Sequence, residues 1–550
     1  MAGSGLDEDG LVPECRLPIL SPAGGSAGAG DELPAAAAAP AGAARSKAAG
    51  WTPLLVFAAA VTTLGAAVPV GFNIGVINTP AEIIKAFCNA SVEAHYGAAL
   101  TPDQVGVLWS SIVSTFLVGA MTGSMLGGWA ADRFGRKGAV SISMLLSLAS
   151  SALFLCSKYA GSVEMLLVAR LVVGFASGLA TGVMPMYLTE VAPVHLRGAL
   201  GVVCPMGINL GVFIGQFAGL DWMLGNEESW HFLLALYGPM VLVGLMLVPA
   251  LPESPKYLYL VRGEEELGIR ELSRIRRQPE ERLGEEVRAL RMAQKSASEP
   301  AAGAGAGQGV NSRRVLCAPE LTLPLVLVCV LQGGQQLSGI NAVFYYSSSV
   351  FQSAGLTATQ AQYATLGCGG VNFLTSMVAV PLVNGMGRRP LMAFSTLSAV
   401  VCLTLLGTAI ITINMLSWMA YVATASVLMY VFFYGFGMGP IPYFIGAELF
   451  DVGPRPLGMA LGSLSNWGGN FLVGMSFTAL QSAIGPSSFY VFAVFTAAQF
   501  VFLRIFLPET KGRDTADIAD MLSLGFKSKI AKDVRCPESA SPLTSSTISA

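Results

Sequence analysis

The amino-acid sequence predicts an all-α membrane protein in which twelve helices cross the bilayer as two similar halves of six. Three observations support this fold class. Hydrophobic residues make up 53% of the 550 residues and charged residues only 12%, against about 25% charged in soluble proteins. Twelve apolar segments are each long enough to cross the hydrocarbon core as a helix. Landmarks of the first six segments recur in the last six.

The twelve spans divide the chain into two halves, an insert and two tails. They cover residues 54–77, 105–129, 138–157, 164–187, 199–220, 231–251, 321–346, 362–383, 390–412, 418–446, 456–481 and 487–507. We expect a disordered N-terminal tail at 1–50, a six-helix half at 51–251, an insert with a linker at 252–318, a second half at 319–507 and a C-terminal tail at 508–550.

The insert is the only long polar stretch between spans. Glu and Arg alternate at helical spacing over 264–291, which predicts solvated surface helices. Residues 301–309 contain only Ala, Gly and Gln, a composition typical of flexible linkers.

The distribution of basic residues predicts the orientation in the membrane. Arg133, Arg136 and Lys137 follow span two, Arg388 and Arg389 follow span eight, and the insert carries most of the remaining cations. Positive connections face the cytoplasm. We therefore expect a multi-pass protein of the cell membrane with both termini cytoplasmic. The same orientation places the glycosylation sequon at Asn89 outside.

Three paired landmarks indicate that the halves arose by duplication. Each landmark of the first half has its counterpart at a similar distance along the chain. The pairs are 135–137 (Gly-Arg-Lys) with 387–389 (Gly-Arg-Arg), Glu190 and Arg197 with Glu448 and Arg455, and Pro252-Glu253 with Pro508-Glu509. Two parallel repeats of six helices are an organisation found in membrane transporters.

Span seven holds the most informative polar residues. Gln335, Gln336 and Asn341 place three amides within seven residues of an otherwise uncharged segment, and Tyr345 and Tyr346 follow. A single amide in a membrane helix usually bonds a neighbouring helix. Three clustered amides, which both donate and accept hydrogen bonds, favour a neutral polyhydroxylated ligand.

The composition argues against other classes of function. The net charge is −2, so nucleic acid is not an expected partner. Nine cysteines and three histidines are scattered without metal-ligand spacing, and no phosphate-binding loop or nucleophile elbow occurs. We expect no enzymatic activity, no catalytic residue, no cofactor and no metal.

Residues 335–346 resemble the seventh-helix signature of the sugar porters in the major facilitator superfamily, and closely that of the facilitative glucose transporter (GLUT) family. The resemblance extends over about Trp51 to Gly525. It implies a uniporter that moves a hexose, D-glucose first of all, down its gradient across the plasma membrane by alternating access. The implied partners are the hexose and the lipid bilayer.

The resemblance also assigns roles to individual residues. Gln335, Gln336, Asn341, Asn372 and Asn470 match sugar-binding positions, and Tyr443 is a further candidate. Tyr345 and Tyr346 match an extracellular gate. A cytoplasmic latch that holds the halves together is implied for Arg133, Arg136, Glu190, Arg197, Arg388, Arg389, Glu448 and Arg455.

Several positions depart from the family pattern. Asn384 and Gly385 replace an acid and an arginine, which predicts a weaker latch in the second half. Pro205 replaces a glutamine in span five, Gly435 a glutamate and Tyr443 a tryptophan in span ten. Because of the last three changes, the sequence does not decide which hexose is preferred, and fructose is the alternative to glucose. Gly437–Pro442 interrupt span ten and predict a break there.

Two other functions remain as alternatives: a proton-coupled sugar symporter of the same fold and a sugar sensor without transport. Proton coupling needs a titratable group near the cavity. Span one contains none, and Asn73 stands where proton-coupled sugar porters carry an aspartate. Arg170 is the only ionisable residue well inside a span, so the sequence favours uniport.

Overall fold

The computed structural model describes residues 50–77, 80–97, 99–298, 316, 318–353, 355–416, 418–450, 453–513, 515–523 and 525–527. These residues form helices and connections, and none of them lies in a β-strand. The predicted disordered tail, apart from Gly50, and the linker at 301–309 lie outside the described residues, as does 528–550 of the C-terminal tail.

The first half contains its six spans in five helical segments. They are Pro53–Gly75, Pro102–Ala160, Val163–Val191, Arg197–Ala218 and Trp230–Ala250. The second segment holds spans two and three, which meet at Gly135, where φ is +81°. A π-turn at Thr63–Ala67 interrupts span one.

The second half repeats this plan with two broken helices. Span seven consists of Pro319–Leu337 and Ile340–Ser353, and span ten of Met419–Phe436 and Ile441–Leu449. The other spans are Ala358–Met386, Arg388–Thr412, Arg455–Ile484 and Ser488–Phe506. The break in span ten falls at the predicted position, whereas the break in span seven was not predicted.

The helices account for all twelve predicted spans, which confirms the fold class. Ten helices of the described chain are long and apolar enough to cross a membrane. Pro102–Ala160 counts once among them but holds two spans. Arg455–Ile484, at 30 residues, is span eleven and brings the total to twelve. Ser463, Ser465, Asn466 and Asn470 lower its mean hydropathy, so it is long enough to cross a membrane but less apolar than the other ten helices.

Glycines allow spans two and four to pack backbone against backbone. A Cβ added at Gly123 would lie 2.1 Å from the carbonyl oxygen of Phe175, and one added at Gly178 would lie 1.9 Å from that of Ala120. Such close approach replaces the hydrophobic driving force that is missing between helices in lipid.

The insert forms helices, as predicted, and it packs on the first half. Glu265–Arg276 and Gly284–Ser298 are helical. Arg276 donates from Nη1 to the carbonyl oxygen of Val191 at 2.8 Å, at the end of span four. Thr52 donates from Oγ1 to the carbonyl oxygen of Ile275 at 2.8 Å. We call the side of the bundle that carries these helices the insert face.

The connection between spans one and two contains a helix that the sequence analysis did not predict. Ala81–Tyr96 is amphipathic and buries Ile84, Cys88 and Ser91. The sequon residue Asn89 lies on this helix, and its Oδ1 accepts a hydrogen bond from the backbone N of Leu100 at 2.9 Å.

Candidate functional site

The break in span seven lies inside the polar signature. Gly339 has a φ of +85°, and a Cβ there would lie 2.8 Å from the ring of Phe492, so the turn requires glycine. Ser338 donates from Oγ to the carbonyl oxygen of Gln335 at 2.6 Å, and the Tyr430 hydroxyl donates to the carbonyl oxygen of Ser338 at 2.9 Å. Span ten therefore supports the backbone of span seven where its helix is interrupted.

Gln335 in turn supports the break in span ten. Its Nε2 donates to the carbonyl oxygens of Met438 at 2.8 Å and Gly439 at 2.9 Å. A broken helix leaves backbone carbonyls without intrahelical donors, and such groups need other partners inside a membrane. Gln335 is 1% exposed. It is thus a structural partner of span ten as well as a candidate ligand-binding residue.

Asn466 of span eleven joins the amides of span seven into one network. Its Nδ2 donates to Oε1 of Gln335 at 2.6 Å and to Oε1 of Gln332 at 2.9 Å. Its Oδ1 accepts from Nε2 of Gln336 at 3.1 Å, and Gln336 accepts from Nδ2 of Asn341. We call these five buried residues, Gln332, Gln335, Gln336, Asn341 and Asn466, the amide network.

Gln332 was not among the predicted site residues, and the link from Asn466 to span seven was not predicted. Asn466 was one polar residue of span eleven among several, and nothing in the sequence pairs it with span seven. Gln332 lies three residues before Gln335, a spacing that puts both side chains on one helix face. Its Nε2 donates to the carbonyl oxygen of Pro442 at 2.9 Å, in the first turn of the helix that follows the break of span ten.

Asn372 lies apart from the amide network, at the junction of the two halves. Its Nδ2 donates to Oδ1 of Asn209 in span five at 3.0 Å. Asn372 is 2% exposed, and its Oδ1 has no hydrogen-bond partner among the described residues. A Cβ on Gly435 would lie 3.7 Å from that oxygen and 2.8 Å from Cγ2 of Thr375. Thr375 therefore occupies the space beside Gly435.

The other predicted site residues lie in spans seven, ten and eleven. Asn470 is 1% exposed and follows Asn466 by one helical turn. Tyr443 is half-buried and packs against the hydrophobic core of the first half. Trp467 donates from Nε1 to Oγ1 of Thr181 in span four at 3.1 Å. The backbones of Tyr345 and Tyr346 lie in helix Ile340–Ser353, and their side chains are outside the described part of the structure.

At the insert face, the first half contains a buried ion-pair cluster. Arg136 donates from Nε to Glu190 at 3.0 Å, and the side chains of both are 1% exposed. Asp132 lies 3.2 Å from Nη1 of Arg136, and Ser254 donates from Oγ to Glu190 at 2.6 Å. These partners offset the cost of burying the two charges.

The second half repeats this cluster with fewer charged partners. Arg388 lies 2.7 Å from Glu448, with side chains 7% and 14% exposed, and Thr510 donates to Glu448 at 2.6 Å. Asn384, at the position of Asp132, has a side chain outside the described residues. Arg389 donates from Nη2 to the carbonyl oxygen of Arg504 at 2.8 Å.

One contact of the cluster joins the two halves. Nη1 of Arg455 lies 4.0 Å from Oε1 of Glu190, and both side chains are buried. Arg455 also donates to the carbonyl oxygen of Phe450 at 3.1 Å. Arg197 lines a small cavity between the halves with Arg388 and Glu448, whereas Arg133 is exposed.

The repeated Gly-Arg turns have a common geometry. Glu253 accepts from the backbone N of Arg136 at 3.1 Å and of Lys137 at 3.2 Å. Glu509 accepts from the backbone N of Arg388 at 2.9 Å and of Arg389 at 3.0 Å. We call these two carboxylates, Glu253 and Glu509, the turn anchors. Burial raises the pKa of the Glu253 carboxyl, although the backbone N–H groups of Ser254 and Lys137 and the charge of Arg136 oppose this effect.

The glycine of each turn is required by its anchor. Gly135 and Gly387 have φ values of +81° and +91°. A Cβ there would lie 2.4 Å from Oε2 of Glu253 and 2.6 Å from Oε2 of Glu509, respectively. The paired landmarks of the sequence are therefore two copies of one structural device.

Arg170 and Asn73 are in polar contact in the first half, toward the face opposite the insert. Arg170 is 2% exposed and donates from Nη1 to the backbone carbonyl of Asn73 at 3.1 Å and from Nε to that of Ile112 at 3.3 Å. Its guanidinium lies 4.6 Å from the centre of the Phe116 ring. The Asn73 side chain donates to the carbonyl oxygen of Pro69 at 2.9 Å.

Comparison with known proteins identifies the family. The family model described as "Sugar (and other) transporter" matches residues 58–522. Solute carrier family 2, facilitated glucose transporter member 3 of Rattus norvegicus is 38% identical over 472 residues, 85% of this chain and 92% of the relative. Member 1 of Gallus gallus is 37% identical over 467 residues, 84% of this chain and 92% of the relative.

Comparison with solved structures identifies the fold. The major facilitator superfamily proton:xylose symporter XylE, bound to 6-bromo-6-deoxy-D-glucose, superposes with a TM-score of 0.74 at 24% identity. The superposition covers 85% of this chain and 99% of that chain. The resemblance noted in the sequence is thus confirmed over nearly its whole extent. The proteins that this chain resembles are transporters, not enzymes. The chain is a multi-pass membrane protein that belongs to the sugar transporter family and has the major facilitator superfamily fold.

Proposed function

We propose that this protein is a facilitative hexose carrier, with D-glucose as its main substrate, that works by alternating access. The observation that carries the proposal is the amide network, which lies where spans seven and ten are both interrupted. The relatives are facilitated glucose transporters by name. Buried amides that donate and accept are suited to the hydroxyl groups of a hexose.

The network gives each amide a distinct role. Gln336 and Asn341 bond mainly to other side chains, so hexose hydroxyls can exchange with those bonds. Gln335 also holds two backbone carbonyls of span ten, which couples ligand binding to the shape of that break. Asn372, Asn470 and Tyr443 complete the proposed binding set.

Alternating access requires contacts that close one side while the other opens. We assign this role at the insert face to the latch residues, with Glu190 and Arg455 as the contact between halves. The gate on the opposite side is assigned to Tyr345 and Tyr346, which follow the break at Gly339. We further propose that the insert face and both termini are cytoplasmic, that the protein resides in the plasma membrane, and that Asn89 is glycosylated.

Uniport follows from the surroundings of Asn73. An amide at this position cannot release a proton. Arg170 bonds backbone carbonyls and an aromatic face, so these contacts do not change with pH. The carrier would therefore equilibrate its hexose across the membrane rather than accumulate it.

The proposal is tested by tracer uptake into proteoliposomes that contain the purified full-length chain. We expect saturable D-glucose uptake that stops at equal internal and external concentrations. Fructose uptake that greatly exceeds glucose uptake at equal concentration would identify a fructose carrier. Binding of hexose without uptake would identify a sensor.

A further inference from the structure

We propose that Asn209 of span five is a hexose-contacting residue that determines which sugar hydroxyl is recognised at the junction of the halves. The inference rests on the proposed function and adds a residue to its binding site. Neither the amide cluster of span seven nor the other predicted site residues pointed to Asn209.

The position of Asn209 is the first argument. It is partly exposed and lies in the first half, yet its Oδ1 accepts a hydrogen bond from Nδ2 of Asn372 in the second half at 3.0 Å. Asn209 follows Pro205 by four residues, about one helical turn of 5.4 Å. Pro205 offers no side-chain hydrogen bond, so Asn209 supplies the amide on this face of span five.

The second argument is an unused acceptor beside the Asn209–Asn372 pair. Oδ1 of the buried Asn372 has no hydrogen-bond partner in the described part of the chain. Buried polar atoms are almost always paired, so an unpaired one indicates a ligand or a functional constraint. Because Gly435 has no side chain, no group from that position competes for this oxygen. A sugar hydroxyl can donate to Asn372 while it accepts from the Asn209 amide.

The third argument is a second amide on the same face of span five. Gln216 follows Asn209 by seven residues, about two turns, and is 3% exposed. Neither its Nε2 nor its Oε1 has a hydrogen-bond partner among the described residues. A Cβ on Gly369 would lie 2.1 Å from Oε1 of Gln216. The junction of spans five and eight therefore contains a row of amides, several of whose polar atoms have no hydrogen-bond partner among the described residues.

A row of this kind suits a ligand with several adjacent hydroxyls. The amide network of span seven lies in the second half alone, whereas Asn209 and Gln216 belong to the first half. A hexose held by both would touch both halves, as a substrate that follows their relative motion must. Asn209 thus determines which sugar hydroxyl the first half recognises.

The test is a double-mutant cycle between the protein and the sugar. Full-length wild type and Asn209→Leu, which keeps the size of the side chain but removes the amide, are reconstituted in proteoliposomes. Inhibition of D-glucose uptake is measured with each monodeoxy-D-glucose. Asn226→Ala is the matched control, because that amide bonds only its own loop in the described structure.

In the wild type we expect one deoxy analogue to bind about tenfold more weakly than glucose, the effect of losing its hydrogen bonds to Asn209 and Asn372. In Asn209→Leu that penalty should fall to about threefold, because only the bond to Asn372 remains. The penalties at the other hydroxyls, and all penalties in Asn226→Ala, should stay as in the wild type. A merely structural role of Asn209 would change all penalties together or none.

Hexose uptake with an unchanged set of penalties in Asn209→Leu overturns the role of Asn209 alone. Absence of any hexose uptake or binding in the wild type overturns the proposed function and this inference together. If Asn209→Leu fails to fold, the same series is run on Asn209→Gln, which keeps the amide but extends it. A changed rank order of the deoxy penalties then supports the role, and an unchanged order overturns it.

Discussion

Glu190 and Arg455 connect the two halves of the protein at the insert face, with 4.0 Å between carboxylate and guanidinium. Glu190 keeps its closer partner Arg136 at 3.0 Å within its own half. The contact between the halves is therefore the longer of the two, and it can separate without leaving Glu190 without a charged partner. This arrangement suits a contact that opens in every transport cycle.

Arg455→Gln should shift the carrier toward the form that is open at the insert face. Loss of the ion pair is expected to change the equilibrium by about 1–2 kcal/mol, roughly a factor of 5 to 30. A cysteine introduced at Ala447, which lines the cavity between the halves, would report the change as faster labelling from the insert face. Arg274→Gln, which breaks the exposed pair with Glu271, is the control and should label like the wild type. Equal labelling rates in Arg455→Gln would exclude the latch role of this contact.

Gln335→Ala and Gln336→Ala should differ in their effect on stability. Gln335→Ala leaves the carbonyl oxygens of Met438 and Gly439 without their donor, and each unpaired buried group costs about 1–3 kcal/mol. Among the described residues, Gln336→Ala breaks bonds to the side chains of Asn466 and Asn341, which can rotate toward other partners, whereas backbone carbonyls cannot. We expect both variants to raise the KM for glucose about tenfold or more. Gln335→Ala should lower the thermal unfolding temperature in detergent by several degrees more than Gln336→Ala does. Normal uptake kinetics in Gln335→Ala would contradict its assignment to the binding site.

Gly387→Ala should destabilise the protein, whereas Gly385→Ala should not. Gly387 has a φ of +91° and a ψ of 170°, a region that only glycine adopts readily, and a Cβ would collide with Glu509. Strain of this kind costs about 1–3 kcal/mol before the collision is counted. A Cβ on Gly385 meets nothing within 4 Å. Thermal unfolding in detergent measures both variants, and equal unfolding temperatures would show that the turn anchor does not restrict this position.

An imposed inward proton gradient should not concentrate glucose in proteoliposomes of the wild type. Asn73→Asp places a carboxyl group on the residue whose backbone carbonyl accepts from Arg170. We expect uptake by this variant to become dependent on pH, because its charge changes with protonation. Accumulation by the wild type that collapses with a protonophore would show that the protein is a symporter.

The sequence predicted the spans and the turns better than the binding site. Apolar length identified all twelve helices, and glycine and proline identified the break at Gly437–Pro442. Gly339 was not recognised as a second break, because a single glycine in an apolar run is common in membrane helices. Asn466 and Gln335 are 131 residues apart, and only the packing of span eleven on span seven brings them together. Asn209 was missed for the same reason, since its partner Asn372 is 163 residues away.

The turn anchors have a consequence for how the protein could be built from parts. Glu253 and Glu509 each bind a turn of their own half, and the insert helices rest on the first half through Arg276 and Thr52. Each half thus has its own turn anchor on the insert face, and neither anchor depends on the other half. If the chain were divided into two polypeptides after residue 298, the first would keep Glu253 with its turn and the second would keep Glu509 with its turn. Such fragments should reassemble when co-expressed, and halves of related carriers should be interchangeable as modules.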